Sequence, residues 1–146
     1  MTIIVSSDHQ PVNIESICAV HKARRKEIRA RLAEFRDIGL AGSDARLWEE
    51  LVFCIFTAGA SARMGFRSVE AVRPLLKKGA QEQMTQALKN AGAHRFPVAR
   101  PAYIVSTRDF LRAHCGMRLR QTLLGFSDPF ERRDWLAQET RIKGLG

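Results

Sequence analysis

The sequence predicts an all-α fold, a bundle of six or seven short helices joined by tight turns. Apolar residues recur at helical spacing along most of the chain, and residues suited to helix caps bound each apolar stretch. No stretch is convincingly strand-like. With 146 residues, 45% of them hydrophobic and 27% charged, residues 1–146 are expected to form a single globular domain.

The first predicted helix begins after Asn13, a good N-cap, and is expected to stop at Gly39. Its apolar residues share one face and its arginines and lysines the other. The apolar positions are Ile14, Ile17, Val20, Ile28, Leu32, Phe35 and Ile38. Residues 1–12 carry little information and are expected to form a short strand or a disordered arm.

The middle of the chain predicts three further helices. Ser43 or Asp44 caps the second, which is apolar nearly all round and is therefore expected to be the buried centre of the domain. The third is amphipathic, and Pro74 is expected to kink or break it because proline lacks the backbone N–H. The fourth is short and is closed by Gly92.

Two more helices are predicted near the end of the chain. Pro101 occupies the first turn of one, where its missing N–H costs nothing. The other follows Gly125, with Ser127 or Asp128 as its N-cap and Pro129 just inside. These helices define a fold class and name no chemistry.

The charge favours a nucleic-acid partner. The net charge is +9 and the pI about 10.3, and 18 arginines and 6 lysines make up the 24 basic residues. The arginine fork binds phosphate with two parallel hydrogen bonds. A purely compositional arginine bias and a basic helical protein that binds RNA or another protein remain alternatives. No apolar run approaches the roughly 20 residues of a membrane span, and "MTIIVSSDHQP" lacks the features of a secretory signal, so a cytoplasmic location is expected.

The cysteines do not predict a metal site. Cys18, Cys54 and Cys115 are odd in number, widely spaced and without a Cys-x-x-Cys pair, so they are expected to be buried, reduced thiols. No metal and no cofactor is expected.

The last residues, "RIKGLG", predict the turn of a helix–hairpin–helix element. In such an element the Gly-apolar-Gly turn exposes its backbone, and the following helix offers free N–H groups to a DNA phosphate. The expected contacts are Lys143, Gly144, Leu145 and Gly146. Contacts of this kind hold the backbone without reading the sequence. Taken alone, the glycine pair also fits a disordered tail.

Three stretches in order make the chain resemble the DNA N-glycosylase/DNA lyases of the helix–hairpin–helix superfamily, in particular the compact 8-oxoguanine DNA glycosylases of archaea and some bacteria. They are "LWEELVFCIFTAGASARMGFRSVEAV", "GAHRFPVARPAYIVSTRDFL" and "RRDWLAQETRIKGLG". The first matches at Cys54, Thr57, Ala58, Ser61 and Ala62. The second matches at His94, Arg95, Phe96, Arg100, Tyr103, Ile104 and Val105. The third matches at Trp135, Leu136, Ile142, Lys143, Gly144, Leu145 and Gly146.

The resemblance implies base-excision repair. Such enzymes flip an oxidised guanine out of duplex DNA, attack the sugar C1′ with a lysine amine and nick the strand through a Schiff base, while an aspartate supports the sugar cation. That lysine would stand about two residues past Gly146, and the aspartate farther on. The chain is therefore expected to be the front two-thirds of a glycosylase, truncated at the hairpin and inactive alone. Lys143 precedes the hairpin and does not replace the missing lysine.

The resemblance also implies DNA contacts by Arg95, Phe96 and Arg100, with Phe96 stacking beside the base opposite the lesion. The alternative for the first two is a helix-capping arginine and a core phenylalanine. The family usually places a gap-filling side chain in the turn after the buried helix, whereas residues 58–60 here are Ala-Gly-Ala.

Double-stranded DNA with a damaged base is the expected partner. The alternative function is that of a non-catalytic, basic helical DNA-binding remnant, with weak and salt-sensitive affinity. An apolar patch left uncovered around Trp135, Leu136 and Leu145 predicts self-association or a poorly ordered C-terminus.

Overall fold

The structure is a computed structural model that describes residues 12–145, and it confirms the all-α prediction. No strand occurs within this range. The seven α-helices in it are α1 (Ile14–Ala41), α2 (Asp44–Thr57), α3 (Ala62–Val72), α4 (Gln81–Ala91), α5 (Ala99–Cys115), α6 (Leu119–Leu124) and α7 (Pro129–Gln138). A single 3₁₀ turn, Arg73–Leu75, follows α3 directly. The arm expected at residues 1–12 lies outside the described residues except for Val12.

The chain divides into two units, Met1–Asp37 and Ile38–Gly146. The described part of the first unit consists of Val12, Asn13 and most of α1. The second unit holds the remaining helices and the hydrophobic core. A single domain over residues 1–146 stays a prediction.

Helix α1 begins as predicted and ends later than predicted. The Asn13 side chain accepts the backbone N–H of Ser16 at 2.8 Å, which confirms the N-cap. The predicted stop at Gly39 is wrong, since the helix continues to Ala41 and Gly42 closes the last turn by donating to Ile38 O at 2.9 Å. A glycine stops a helix efficiently only in the left-handed conformation, which Gly39 does not adopt. No residue of α1 is buried.

Helix α2 is the buried centre of the second unit, as predicted. Its residues Val52, Ile55 and Phe56 are fully buried, and it packs against α3, α5 and α6. Of the two candidate caps, Ser43 is the one used, because its hydroxyl accepts the N–H of Arg46 at 3.2 Å. Burial of three large side chains in one helix anchors the whole unit.

The ends of α3 and α4 follow the predicted proline and glycine rules. Helix α3 stops at Val72, and Pro74 lies in the 3₁₀ turn beyond it. The carbonyl of Leu76 after this turn accepts the indole N–H of Trp48 at 3.1 Å. Helix α4 ends at Gly92, which has the left-handed φ of +53° typical of a C-cap glycine.

Helices α5 and α7 position the C-terminal segment. Pro101 lies in the first turn of α5, and Ile104 and Leu111 on the same helix are fully buried. Asp128 caps α7 by accepting the N–H of Phe130 at 2.9 Å, and Pro129 is its first residue. Trp135, Leu136 and Leu145 are half-buried and pack against the core. The self-association expected from these three side chains stays a prediction.

The expectation of buried thiols is wrong for this fold. Cys18 and Cys54 are exposed and Cys115 is half-buried, because the core is filled by branched aliphatic and aromatic side chains instead. Across residues 12–145 there is no helix with both the length and the apolar composition needed to cross a membrane.

Candidate nucleic-acid interface

The segment after α7 turns back onto α5 and is fixed there at two points. Ile142 is 4% exposed, and its N–H closes a turn with Glu139 O at 2.9 Å. The next amide, that of Lys143, donates to the Thr107 hydroxyl of α5 at 2.9 Å. An apolar anchor and a partly buried hydrogen bond therefore hold the backbone of the predicted hairpin against the domain.

Gly144 makes the close approach that this packing requires. Its φ is +83°, a conformation that residues with a side chain rarely adopt. A Cβ at this position would lie 3.0 Å from Tyr103 Cδ2 and 3.2 Å from Arg100 Nη1. Both the conformation and the space therefore explain glycine here, as expected for the turn of the element.

The turn after α2 lies beside the hairpin and is held by two arginines. Arg100 Nη2 donates to Ala58 O at 2.6 Å, and Arg95 Nη2 donates to Gly59 O. These carbonyls follow the last turn of α2, where backbone acceptors have no partner inside the helix. Charge-assisted hydrogen bonds to them are stronger than neutral ones and fix the position of the turn.

His94 connects the segment that contains Arg95 and Phe96 to α2 through hydrogen bonds of its ring. The ring is 7% exposed, with Nε2 2.9 Å from Phe56 O, while Nδ1 accepts the N–H of Phe96 at 3.0 Å. Since Nδ1 accepts this hydrogen bond, Nε2 is the ring nitrogen placed to donate to Phe56 O. His94 thus positions Arg95 and Phe96 without reaching the surface itself.

Phe96 lies on the surface between the two arginines. Its side chain is 43% exposed, and the Arg95 and Arg100 guanidinium carbons lie 5.0 and 5.7 Å from the ring centroid. The two guanidinium groups hold the ring in place by cation–π contacts, and part of the ring remains exposed to solvent. The alternative of a core phenylalanine is therefore wrong, whereas Arg95 binds the turn that follows α2.

These parts enclose an open cleft of about 600 Å³. Its lining residues are Ala58, Gly59, Arg100, Tyr103, Lys143 and Gly144. The cleft contains two cations and no carboxylate, and the buried Nε of Arg100 has no hydrogen-bond partner within residues 12–145. A positively charged cleft lined by turn backbone suits a phosphate group.

Glu139 and Arg141 form a fork at the entrance to the hairpin. Both oxygens of Glu139 accept hydrogen bonds from the Arg141 guanidinium, at 2.7 and 2.8 Å, and Oε1 also accepts the Arg141 N–H at 3.1 Å. These bonds favour the carboxylate and lower the pKa of Glu139 to about 2. The same guanidinium lies 4.3 Å from the ring centroid of Phe110 on α5. The fork thus shapes the backbone just before Ile142.

A model of the 8-oxoguanine DNA glycosylase family matches residues 28–146. The chain belongs to this family. Among its curated relatives is the 8-oxoguanine DNA glycosylase/AP lyase of Korarchaeum cryptofilum, which is 34% identical over 122 residues, 84% of this chain and 53% of that protein. The enzyme of the same name from Thermotoga petrophila is 31% identical over 119 residues and is likewise covered to 53%. The chain therefore spans about half the length of the curated relatives it matches.

Solved structures of the family share the fold. The 8-oxoguanine DNA glycosylase of Thermotoga maritima superposes with a TM-score of 0.76 and 28% identity, over 90% of this chain and 59% of that one. The Methanocaldococcus jannaschii 8-oxoguanine glycosylase/lyase, solved with a 15mer DNA that contains 8-oxoguanine, gives a TM-score of 0.74 and 27% identity. That match covers 91% of this chain and 60% of the other. The likeness fixes the family fold for this chain.

The structure brings together most of the residues predicted to bind DNA. Arg100, Lys143 and Gly144 line the cleft, and Arg95 and Phe96 lie beside its Ala58–Gly59 edge. Leu145 packs half-buried on the core, so its side chain serves the domain and not the cleft. Gly146 lies outside the described residues. Direct DNA contact by these residues stays a prediction.

Two residues of this site were not assigned a role from the sequence. The sequence analysis includes His94 only through the family resemblance and does not single out Thr107. Their importance depends on long-range partners, Phe56 for the histidine and Lys143 for the threonine. A polar residue at a helix position that faces the core would have been the available signal, since buried polar groups need a partner.

Residues 12–145 contain no cluster of three or more acidic, histidine or cysteine side chains able to hold a metal ion.

Proposed function

We propose that this chain acts in base-excision repair as the DNA-binding part of a lysine-dependent 8-oxoguanine DNA N-glycosylase/AP lyase. Family membership and the names of its relatives support the reaction class. One relative was solved with DNA that contains 8-oxoguanine, which supports a lesion-bearing duplex as the substrate. The chain spans about half the length of these relatives, and the lysine-dependent reaction is therefore a proposal for this chain.

The observation that carries the proposal is the docked hairpin beside the arginine-bordered cleft. The Lys143 side chain is exposed, while its backbone is fixed by Thr107. Arg100 and Arg95 each donate one hydrogen bond from Nη2 to a carbonyl of the turn. Because a guanidinium has five N–H donors, both arginines retain further donors for a phosphate. We expect these groups to hold one strand of the duplex by its backbone, without sequence preference.

The proposed reaction needs a nucleophilic amine, and the family resemblance does not assign that role to Lys143. In the family the nucleophilic lysine follows the second hairpin glycine by about two residues, and here that glycine is Gly146. Lys143 precedes the hairpin, where its side chain lies beside the phosphate-binding cleft. We assign Lys143 to backbone binding, and we expect the isolated chain to bind damaged DNA without excising the base.

The turn beside the cleft bears on base flipping. Extruding a base costs a few kcal/mol of unstacking, which such enzymes offset by filling the gap in the duplex. Ala58, Gly59 and Ala60 carry no side chain long enough for that role. Phe96 is an exposed aromatic residue beside Arg95, which binds this turn, and we expect Phe96 to stack on the base opposite the lesion.

Borohydride trapping on an 8-oxoguanine duplex tests this assignment. The wild-type chain and K143Q are incubated with the duplex and the reductant, while anisotropy under the same conditions shows that each protein is bound. We expect no robust covalent adduct from either protein. A robust adduct that K143Q loses would make Lys143 the nucleophile and contradict the proposal.

A second comparison separates lesion recognition from plain phosphate binding. The same duplex with guanine in place of 8-oxoguanine should bind more weakly than the lesion duplex. Equal affinities at every salt concentration would instead identify a non-catalytic DNA-binding remnant.

A further inference from the structure

A second cavity, of about 890 Å³, lies among the first half of α2, the turn after α3 and the second half of α5. It shares no lining residue with the cleft. Its floor is apolar and consists of Trp48, Leu76 and Met117, the first two of which are 4% and 6% exposed. The volume falls in the range of small-molecule sites, which is about 300–1,000 Å³.

Positive charge surrounds this floor. The basic lining residues are Arg73, Lys77, Lys78, Arg108 and Arg112, and the acidic ones are Asp44 and Glu49. Both carboxylates already have partners in the protein. Glu49 accepts two hydrogen bonds from Arg73, at 2.8 and 3.0 Å, and Asp44 accepts the backbone N–H of Arg120 at 2.7 Å. The cavity therefore holds more cations than its own carboxylates can neutralise.

Arg108 is the buried member of this set. Its side chain is 7% exposed, and Nε has no hydrogen-bond partner within residues 12–145. The carboxylate of Asp109 lies 3.9 Å from Nε, and Nη1 reaches the carbonyls of Leu75 and Leu76 only at 3.5 and 3.4 Å. Burial lowers the pKa of Arg108, as expected for a desolvated cation. A buried charge with such weak partners is costly unless an anion joins it.

Lys77 and Lys78 complete the cationic side. Neither ammonium group forms an ion pair with a carboxylate of the described residues, and both residues are exposed in a turn that lines the cavity. Arg112 is held in place by donating to Lys77 O at 3.1 Å and lies 3.5 Å from Asp109. The two lysines and Arg108 are thus the cations that remain available to a ligand.

We propose that this cavity binds a small organic anion of the phosphate-monoester class. Lys77, Lys78 and Arg108 hold its phosphate, and a flat apolar body covers Trp48, Leu76 and Met117. An anion with an apolar body satisfies both halves of the lining, which inorganic phosphate does not. The site uses no residue of the cleft, so it stands or fails independently of the proposed repair function.

The two tryptophans allow a direct test with phenyl phosphate as the probe. Trp48 lies in the floor, and its indole N–H donates to Leu76 O, whereas Trp135 lies outside the lining. In ¹H–¹⁵N spectra of the whole chain, phenyl phosphate should shift the Trp48 indole signal saturably and leave Trp135 unchanged. Inorganic phosphate and phenol, titrated separately, should each bind at least fivefold more weakly. Equal shifts of both indoles, or no saturation, would overturn the proposal.

Charge-neutralising variants locate the phosphate. K77Q/K78Q removes two exposed cations of the cavity and should weaken phenyl phosphate binding about fivefold, as expected for two partly screened ionic contacts. K22Q/K26Q removes the same charge from α1 and should have no effect. R108M tests the buried cation, with circular dichroism as the check on folding. Unchanged affinity in K77Q/K78Q, or an equal loss in K22Q/K26Q, would contradict the site.

Discussion

Gly144 is the residue on which the docking of the hairpin depends most sharply. Alanine there meets both an unfavourable φ of +83° and atoms of Tyr103 and Arg100 at 3.0–3.2 Å. The left-handed conformation alone costs a residue with a side chain about 1–2 kcal/mol. We therefore expect G144A to open the hairpin and to speed amide exchange at Lys143 by roughly 30-fold, the equivalent of about 2 kcal/mol.

G92A is the matched control for this substitution. Gly92 also has a left-handed φ, of +53°, but no atom lies within 4 Å of a Cβ placed there. The variant should lose about 1–2 kcal/mol of global stability and leave exchange at Lys143 close to the wild-type rate. Equal acceleration in the two variants would show that Gly144 makes no special contact.

Glu139 provides a prediction about pH. Its pKa lies below the ordinary 4.5, at about 2, because the Arg141 fork stabilises the carboxylate. A lowered pKa in the folded state means that the contribution to stability is complete above about pH 4.5 and is lost as the pH falls through 2. A ¹³C titration of the Glu139 carboxyl should show this low value, and R141Q should return it towards 4.5. An ordinary pKa in the wild type would mean that the fork does not persist in solution.

At the scale of the elements, the hairpin and α5 are joined by Thr107. The hydroxyl is fully buried and accepts the N–H of Lys143, so T107V keeps the shape and removes the acceptor. A donor left buried without a partner costs about 1–3 kcal/mol. We expect a loss of about 1 kcal/mol in the free energy of unfolding measured with urea, because the hairpin can relax in part.

T122V provides the comparison on α6. The Thr122 hydroxyl is exposed and donates within its own helix, to Arg118 O at 2.8 Å. Its replacement should change the stability by no more than about 0.5 kcal/mol. A similar loss in both variants would show that the bond to the hairpin adds nothing specific.

The predictable elements are those whose boundaries follow from local chemistry. The caps at Asn13 and Asp128, the break at Pro74 and the stop at Gly92 depend on residues within one turn of the helix end. The predicted helix end at Gly39 was wrong because glycine permits the left-handed conformation without requiring it. The prediction of buried thiols was wrong because burial depends on neighbours far along the chain.

The candidate site, like the helix boundaries, was predictable where it depends on residues close together in the sequence. The Gly-x-Gly turn and the basic residues of the cleft follow from short motifs and a family resemblance. The bonds from Arg95, Arg100 and His94 to the end of α2 cross 36 to 42 positions in the sequence. No local pattern specifies pairs at that separation, so the positioning of these side chains required the structure.

At the scale of the whole molecule, the net charge of +9 is divided among several surfaces. Lys143, Arg95 and Arg100 surround the cleft, while Lys77, Lys78 and Arg108 surround the second cavity. Charge alone therefore does not identify the surface that binds DNA. The hairpin backbone distinguishes the cleft, because Gly144 of the predicted phosphate-binding turn is among its lining residues.

The salt dependence of duplex affinity tests this central claim most directly. Each phosphate contact contributes about 0.9 to the slope of log K against log salt concentration. On an 8-oxoguanine duplex, R95Q/K143Q should bind more weakly than wild type and reduce the magnitude of the slope by about 1.8, the value for two lost contacts. K22Q/K26Q, with the same change in net charge, should keep the wild-type slope. A wild-type slope in R95Q/K143Q would show that the duplex does not bind at the cleft.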